Sequence, residues 1–332
     1  MKSRERIRAI IDGEEPDRCG LWLGAPIPDT WPLLHDYFGT STEEQLRVKL
    51  NDDYRWLAPW SAYEDPEGRE MWDLHPENKS RSAGGRLTDC ESVAELDQFA
   101  WPNPDYLDFT DITERLRNAG DVYRASGFWC PFFHTVARFF GMENYFIKMF
   151  THPELVHAVT RRVVDFYLEG NARLFKQAGD LLDAFFFGND FGTQLDLLVG
   201  PDALREFVFP YIRELTAHAH AHGLQVIQHS CGAIHKIIPD LIDLGVEMLH
   251  PLQALAQNMD AETLAREFKG DIAFMGAIDT QQLLVHGNPE QIKDEVRRVR
   301  NLLGPRFVVS PSHEGVLPNV PPQNIKAMAE AA

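Results

Sequence analysis

The stretch LQVIQHSCGAIHKIIPDLIDLGVEMLHPLQ, residues 224–253, contains the repeating unit that decides the fold. Its two apolar runs, 224–230 and 246–253, have the length and composition of buried strands. Between them, Ile234–Leu244 has apolar residues at helical spacing and is followed by Gly245, a residue suited to a left-handed helix end. A strand, a helix and a second strand in this order predict two parallel strands joined by a crossover.

The same alternation extends across most of the 332-residue chain. Further strands are predicted at 122–127, 181–188, 271–279 and 306–312. Further helices are predicted at 154–178, 201–222, 261–268 and 289–303. A short N-terminal helix and a first strand precede them, and residues 25–120, rich in proline and tryptophan, predict a long loop or hairpin excursion with one helix near 109–119. The pattern is consistent with a single domain covering residues 1–332.

Polar residues follow several of the predicted strands, and this feature separates two folds that share the same rhythm. An open doubly wound sheet and a closed (β/α)8 barrel both fit the alternation. The polar positions at strand ends are Asp190, His229, Cys231, His250, Gln253, Asp279, His313 and Glu314. Barrel enzymes build their active sites from the carboxyl ends of several strands. We therefore predict an α/β fold of the (β/α)8 TIM-barrel type.

The charge balance argues against two classes of partner. The chain carries 32 Lys and Arg against 50 Asp and Glu, a formal net charge of −18. A surface with this excess of negative charge repels nucleic acid and anionic membranes. No apolar run approaches the roughly 20 residues that cross a bilayer, and the charged N-terminus has no apolar signal core. We expect a cytoplasmic protein that binds a small-molecule substrate or a protein partner.

The sequence QHSCG, residues 228–232, is the strongest candidate for chemistry. His229 and Cys231 lie two residues apart at a strand end, so their side chains point to the same face. Imidazole and thiolate are preferred zinc ligands, and a catalytic zinc has about three protein ligands and one open position. A buried structural cysteine beside a hydrogen-bonded histidine is the alternative interpretation, and it is the commoner one for these five residues taken alone.

Other strand-end motifs contribute further candidates. In SPSHEG, His313 is a candidate third ligand or general acid–base, and Glu314 could orient it. In GNDFGTQ, Asp190 is a candidate base, a partner that orients a metal ligand, or a residue that binds a cation. A turn or a helix cap is the commoner role of such an aspartate. The capping alternative is stronger still for Asp279 in GAIDTQ. The candidate substrate-binding residues are Trp22, Gln194, His250, Gln253 and Asp279.

Taken together, these motifs resemble the uroporphyrinogen decarboxylase-like superfamily over nearly the whole chain. ERIRAIIDGEEPDRCGLWLG, residues 5–24, is similar to its first helix and strand, and GNDFGTQLDLLVGPDALREFVFPYIREL, residues 188–215, to its middle segment. HSCGAIHKIIPDLIDLGVEMLHPLQ, residues 229–253, and FVVSPSHEGVLPNVPPQNIKAMAEA, residues 307–331, are similar to its last third. Several long motifs in the right order imply the same (β/α)8 barrel.

The superfamily has two main branches, and an N-terminal loop separates them. The decarboxylases use no cofactor and grip the acidic side chains of a tetrapyrrole with arginines from this loop. The matching stretch here, LWLGAPIPDT at residues 21–30, has no arginine, and desolvated carboxylates need cationic partners. The sequence therefore resembles the second branch, the corrinoid-dependent methyltransferases, more than the true decarboxylases.

The methyltransferase branch implies a zinc site and a protein partner. Thiol-methylating members hold zinc through an H-x-C pair and a later cysteine; His229 and Cys231 match the pair, and His313 replaces the later cysteine. The resemblance implies methyl transfer between a corrinoid (cobalamin) protein and a small thiol, folate or methoxy substrate, with Zn²⁺ at these three residues. Asp190 is then a proton relay and Glu314 orients His313. Because no DxHxxG cobalamin-binding stretch is present, we expect the corrinoid on a separate protein.

Two alternatives remain open from the sequence. A metal-free decarboxylase-type lyase acting on a carboxylated substrate fits Asp190 and the sequence context of His313. A non-catalytic tetrapyrrole- or corrinoid-binding protein fits a barrel that has lost its chemistry. Because decarboxylase-branch relatives dimerise through their barrel mouths, a homodimer is also an expectation of the resemblance.

Overall fold

Parallel strands in a nearly closed barrel form the centre of the molecule. The computed structural model describes residues 1–72, 74 and 84–332. The strands are β1 (Gly20–Leu21), β2 (Tyr54–Trp56), β3 (Tyr123–Ser126), β4 (Ala184–Gly188), β5 (Gln225–His229), β6 (Met248–Leu252), β7 (Ala273–Ile278) and β8 (Phe307–Pro311). They lie in the order β1-β8-β7-β6-β5-β4-β3-β2, and each is parallel to its neighbour. The predicted (β/α)8 barrel is confirmed.

The two ends of the sheet meet at β1 and β2. The Asp53 backbone N–H donates to the Leu21 carbonyl at 2.9 Å, and the Leu21 N–H donates to the Asp53 carboxylate at 3.1 Å. The Leu23 N–H donates to the Asp52 carboxylate, also at 3.1 Å. Both aspartates are buried, so their carboxylates supply hydrogen bonds that these short strands cannot supply through the backbone.

Helices surround the barrel as the predicted crossovers require. They are α1 (Ser3–Asp12), α2 (Trp31–Phe38), α3 (Glu43–Lys49), α4 (Thr110–Asn118), α5 (Phe132–Phe140), α6 (Met142–Thr151), α7 (Pro153–Ala178), α8 (Pro201–Phe207), α9 (Phe209–Ala221), α10 (Ile238–Asp243), α11 (Ala261–Phe268), α12 (Leu283–His286), α13 (Pro289–Leu303) and α14 (Pro322–Ala331). The single helix predicted at 201–222 is divided into α8 and α9, because Pro210 lacks the N–H that a continuous helix needs. None of the helices in the described parts of the chain is long and apolar enough to cross a membrane.

Residues 25–120 contain more regular structure than a loop or hairpin excursion. The second barrel strand, β2, lies there together with α2 and α3, and α4 occupies the predicted helix. β2 has only three residues, and its Arg55 pairs with Glu44 of α3 at 2.8 Å, so neither length nor hydrophobicity indicated a strand. Residues 73 and 75–83, part of the predicted hairpin, lie outside the described residues.

Helix α1 covers the amino-terminal end of the barrel. Ile7 packs among the inward-facing strand residues, and a Cβ on Gly20 of β1 would lie 2.5 Å from the Ile7 Cδ1 atom. Arg6 donates to the Asp53 carboxylate at 2.6 Å, in a buried contact. Apolar burial and an ion pair together fix α1 at this end, and the predicted site residues lie at the opposite, carboxyl-terminal end of the strands.

Candidate active site

Neighbouring strands bring two of the predicted histidines together at the barrel mouth. His229 is the last residue of β5, in register with Gly188 of β4 and His250 of β6. Side chains alternate along a strand, so His229 faces the barrel interior on the same side as the buried Ile227. Gly188 leaves space for Trp129, because a Cβ there would lie 2.2 Å from the indole. The Trp129 and His229 ring centroids are 4.9 Å apart.

Asp190, His229 and Cys231 form a first group of possible ligands, here called the Asp–His–Cys cluster. The His229 Nε2 atom lies 3.2 Å from Asp190 Oδ1 and 3.3 Å from Cys231 Sγ. The Cys231 backbone N–H donates to Asp190 Oδ1 at 3.0 Å. The two loops also touch at glycines, since a Cβ on Gly232 would lie 2.4 Å from the carbonyl carbon of Gly192. The possible ligand atoms of the cluster lie within 4.8 Å of one another.

His229, His250 and Glu314 form a second group on the other side of the same imidazole. The Nδ1 atoms of His229 and His250 are 3.1 Å apart, so one of them carries a shared proton. Glu314 Oε2 lies 3.7 Å from His229 Nδ1. The buried atoms His250 Nε2 and Glu314 Oε2 have no hydrogen-bond partner among the described residues. Buried polar atoms of this kind are normally satisfied by water or a bound group.

Burial and neighbouring charges shift the protonation of these groups. Burial opposes ionisation of Asp190, but the hydrogen bond and charge of His229 hold the pKa of Asp190 below its ordinary value. Burial raises the pKa of the Cys231 thiol, and the negative charges of Asp190 and Glu314 raise that pKa further. Burial also lowers the pKa of His250 well below its ordinary value. Without a cation nearby, Cys231 is therefore a thiol and His250 a neutral imidazole at neutral pH.

The Asp–His–Cys cluster fits a metal ion by the chemistry of its atoms. An imidazole nitrogen, a sulfur and a carboxylate oxygen converge, and all three are zinc ligands. A bound cation reverses the effect of the local negative charge on Cys231, because a coordinating thiol loses its proton. The unpartnered Glu314 oxygen and the His250 ring lie behind His229, in the position from which outer residues orient a metal-binding imidazole.

His313 lies beside these groups but belongs to neither of them. Its Nδ1 atom accepts a hydrogen bond from the Gly315 backbone N–H at 3.0 Å and lies 3.7 Å from Glu314 Oε2. Its side chain is 44% exposed, whereas that of His229 is 4% exposed. The structure thus groups Asp190 with His229 and Cys231, and a ligand role for His313 stays a prediction.

The predicted substrate-binding residues occupy different positions around the mouth. Trp22 is buried against His250, with ring centroids 5.0 Å apart. Gln253 Oε1 accepts hydrogen bonds from the Gly232 N–H at 2.8 Å and from Gln194 Nε2 at 3.3 Å. The two glutamines thereby connect the loops that follow β4, β5 and β6.

Asp279 is engaged with the backbone of its own loop. Its carboxylate accepts three backbone hydrogen bonds, from Gln281 at 3.0 Å, Gln282 at 2.8 Å and Leu283 at 2.9 Å. This is the capping arrangement considered for the GAIDTQ motif. A further role for Asp279 in substrate binding stays a prediction.

Two residues of the site were not among the predicted site residues. Trp129 contacts His229, and His134 Nε2 accepts the Asp190 backbone N–H at 3.1 Å. Trp129 lies three residues after the end of β3, so the strand-end rule that selected His229 could also have selected it. His134 lies on α5, and no strand-end signal marks it.

A barrel with a histidine, a thiol and a carboxylate clustered at the carboxyl ends of its strands has the arrangement of a barrel enzyme. A sequence model of the family described as Uroporphyrinogen decarboxylase (URO-D) matches residues 86–332. The chain belongs to this family, as its sequence motifs predicted. No curated protein sequence matches the chain.

Solved structures share the barrel at low sequence identity. A methyltransferase from Methanosarcina mazei superposes with a TM-score of 0.68 at 16% identity, covering 100% of this chain and 98% of that one. A protein described as a vitamin-B12 independent methionine synthase from Listeria monocytogenes gives a TM-score of 0.47 at 10% identity, covering 95% of this chain and 97% of that one. At such an identity the first likeness establishes a shared fold.

Proposed function

We propose that this protein is a zinc-dependent methyltransferase. It moves a methyl group between a corrinoid carried by a partner protein and a small thiol, folate or methoxy substrate. The observation that carries the proposal is the convergence of Asp190 Oδ1, His229 Nε2 and Cys231 Sγ at the barrel mouth. The similarity of fold to a protein named as a methyltransferase supports the same class.

His229 and Cys231 are the proposed zinc ligands, and the position of Asp190 Oδ1, 3.2 Å from His229 Nε2, supports Asp190 as the third. His313 is the other candidate for that position. When bound, zinc acts as a Lewis acid that lowers the pKa of a substrate thiol or polarises a methoxy oxygen.

The surrounding side chains orient the ligands and hold protons. A neutral His250 accepts the His229 Nδ1–H, which directs the Nε2 lone pair of His229 toward Asp190 and Cys231. The Glu314 carboxylate lies 3.7 Å from His229 Nδ1, where an outer carboxylate helps to orient a metal-binding ring. Where His313 is the third ligand instead, Asp190 is free to relay a proton that leaves the substrate.

Metal content measured by elemental mass spectrometry tests this proposal. Protein purified without a histidine tag should contain about one zinc per chain, the stoichiometry of a single catalytic site. A Cys231→Ser variant should lose the zinc and the transfer of methyl groups to or from a corrinoid protein. Cys90→Ser is the matched control, because Cys90 is a free cysteine outside both groups of possible ligands and a serine can keep its hydrogen bond to the Ser92 carbonyl. Zinc retained in Cys231→Ser contradicts the ligand assignment.

The family description favours a second candidate, a metal-free decarboxylase acting on a carboxylated substrate. Such a substrate needs cationic partners inside the site. Residues 21–30 contain no arginine or lysine. Release of CO₂ from a carboxylated substrate by zinc-free protein would favour this second function over methyl transfer.

A further inference from the structure

Three predicted residues from different strand ends line one cavity at the barrel mouth. Gln253, Asp279 and His313 border a space of about 430 Å³, here called the rim cavity. They follow β6, β7 and β8 respectively. Gln253 also accepts the backbone N–H of Gly232, the residue after Cys231, at 2.8 Å, so the rim cavity adjoins the loop that carries Cys231. Its position suits a substrate that reacts at the Asp–His–Cys cluster.

The rim cavity offers no free charge to a ligand. Among the described residues that line it, Asp279 and His313 are the ones with titratable side chains, and no lysine, arginine or glutamate is present. The Asp279 carboxylate is occupied by three backbone N–H groups. A ligand carboxylate or phosphate would lose water here without gaining a cationic partner, which is strongly unfavourable.

Two wall residues present hydrogen-bond donors whose orientation is fixed by the backbone. His313 Nδ1 accepts the Gly315 N–H, so the neutral ring carries its proton on Nε2. Gln253 Oε1 accepts the Gly232 N–H, which leaves the Nε2 amide as the free end of that side chain. Within the described residues, Gln253 Nε2 donates to no other group. The rim cavity therefore suits a ligand with oxygen acceptors.

The remaining walls combine apolar and uncharged polar side chains. Leu255 and Leu317 are 55% and 50% exposed, the buried Val320 lies among the lining residues, and the polar ones are Thr280, Gln281, Ser312 and Asn319. Covering exposed leucine side chains with an apolar ligand is favourable because it removes apolar surface from water. An apolar frame that carries oxygen acceptors but no charge matches these walls.

We infer that the rim cavity binds the small substrate and selects an uncharged methoxy compound, with His313 and Gln253 donating hydrogen bonds to its oxygens. This inference rests on the proposed methyl transfer and chooses among its substrate classes. A folate carries glutamate carboxylates that this cavity cannot pair. A thiol sulfur is a weak acceptor and makes little use of two N–H donors. An ether or hydroxyl oxygen uses both donors and adds no charge.

Isothermal titration calorimetry with two probes of matched size tests the inference. The probes are 4-methoxybenzyl alcohol, which is uncharged, and 4-methoxybenzoate, which carries a carboxylate. The wild-type protein should bind the alcohol at least about tenfold more tightly than the carboxylate, because an unpaired desolvated charge is costly. Equal or tighter binding of the carboxylate, or no binding of either probe, overturns the inference.

Two conservative variants each remove a hydrogen-bond donor and keep the acceptor that binds the neighbouring backbone N–H. His313→Asn keeps an acceptor for the Gly315 N–H, and Gln253→Glu keeps one for the Gly232 N–H, while each removes a donor. Each should weaken binding of 4-methoxybenzyl alcohol about tenfold. Unchanged affinity in both variants contradicts the assignment of these donors.

A variant designed to bind the carboxylate probe more tightly gives an independent test. Leu317→Arg places a cation at the edge of the rim cavity and should tighten binding of 4-methoxybenzoate about tenfold. Leu195→Arg is the matched control, because Leu195 is 75% exposed and does not line the cavity. Equal gains in both variants would indicate general electrostatic attraction and overturn the inference. The zinc content of each protein is measured alongside, so a zinc-free protein with the expected selectivity contradicts the proposed function and leaves the binding site intact.

Discussion

His229 has different neighbours at its two ring nitrogens. Nε2 faces Asp190 and Cys231, and Nδ1 faces His250 and Glu314. A histidine held in this way presents one fixed lone pair, which is what a catalytic metal site requires. The strand-end rule selected all five of these residues from the sequence. It could not select between Asp190 and His313 as a ligand, because loop geometry decides which of them turns toward the cluster.

A substitution at Asp279 tests whether its carboxylate stabilises the fold by accepting backbone hydrogen bonds from its own loop. Asp279→Ala removes the acceptor of three backbone N–H groups and should lower the free energy of unfolding by about 2 kcal/mol, at the upper end for a helix cap. Asp260→Ala is the control, since Asp260 caps α11 through the Thr263 N–H, and its effect should be smaller. Urea unfolding measures both values. A variant of Asp279 with wild-type stability would contradict the capping role.

At the scale of elements, the loops after β4 and β5 must pack closely before the cluster can form. The sequence predicted the strands that carry these loops, because long apolar runs mark them. It did not predict β2, whose three residues carry an outward arginine paired with a helix. Short strands where a barrel closes depend on hydrogen bonds from residues distant in sequence, such as Asp53 to Leu21. A local sequence pattern cannot predict such bonds.

The contact between these loops gives a prediction about Gly232. Gly232→Ala combines a positive φ of 89° with a Cβ that would lie 2.4 Å from the backbone of Gly192, so the loops must separate. We expect zinc affinity to fall at least about tenfold, as for loss of an orienting residue. Gly223→Ala is the control, because it has a φ of 71° and nothing within 4 Å of its Cβ position. A competition titration with a zinc indicator compares the two, and equal affinities would exclude a role for the loop contact.

At the scale of the whole molecule, the proposed zinc ligands lie on two neighbouring loops, so metal binding would be coupled to global stability. A ligand that binds only the folded state stabilises it by an amount that depends on its concentration relative to its dissociation constant, about 4 kcal/mol at a thousandfold excess. Removal of zinc with a chelator should therefore lower the midpoint of thermal unfolding, and added zinc should restore it. The Cys231→Ser variant should respond to neither treatment. A wild-type midpoint that is insensitive to chelation would argue against a native zinc site.

Zinc-edge X-ray absorption spectroscopy of untagged protein tests the proposed zinc site, because it identifies the atoms bound to the metal. We expect one sulfur at about 2.3 Å and nitrogen and oxygen ligands at about 2.0–2.2 Å in the wild-type protein, and no bound zinc in Cys231→Ser protein. A zinc shell without sulfur in the wild-type protein would contradict the assignment of His229 and Cys231 as ligands.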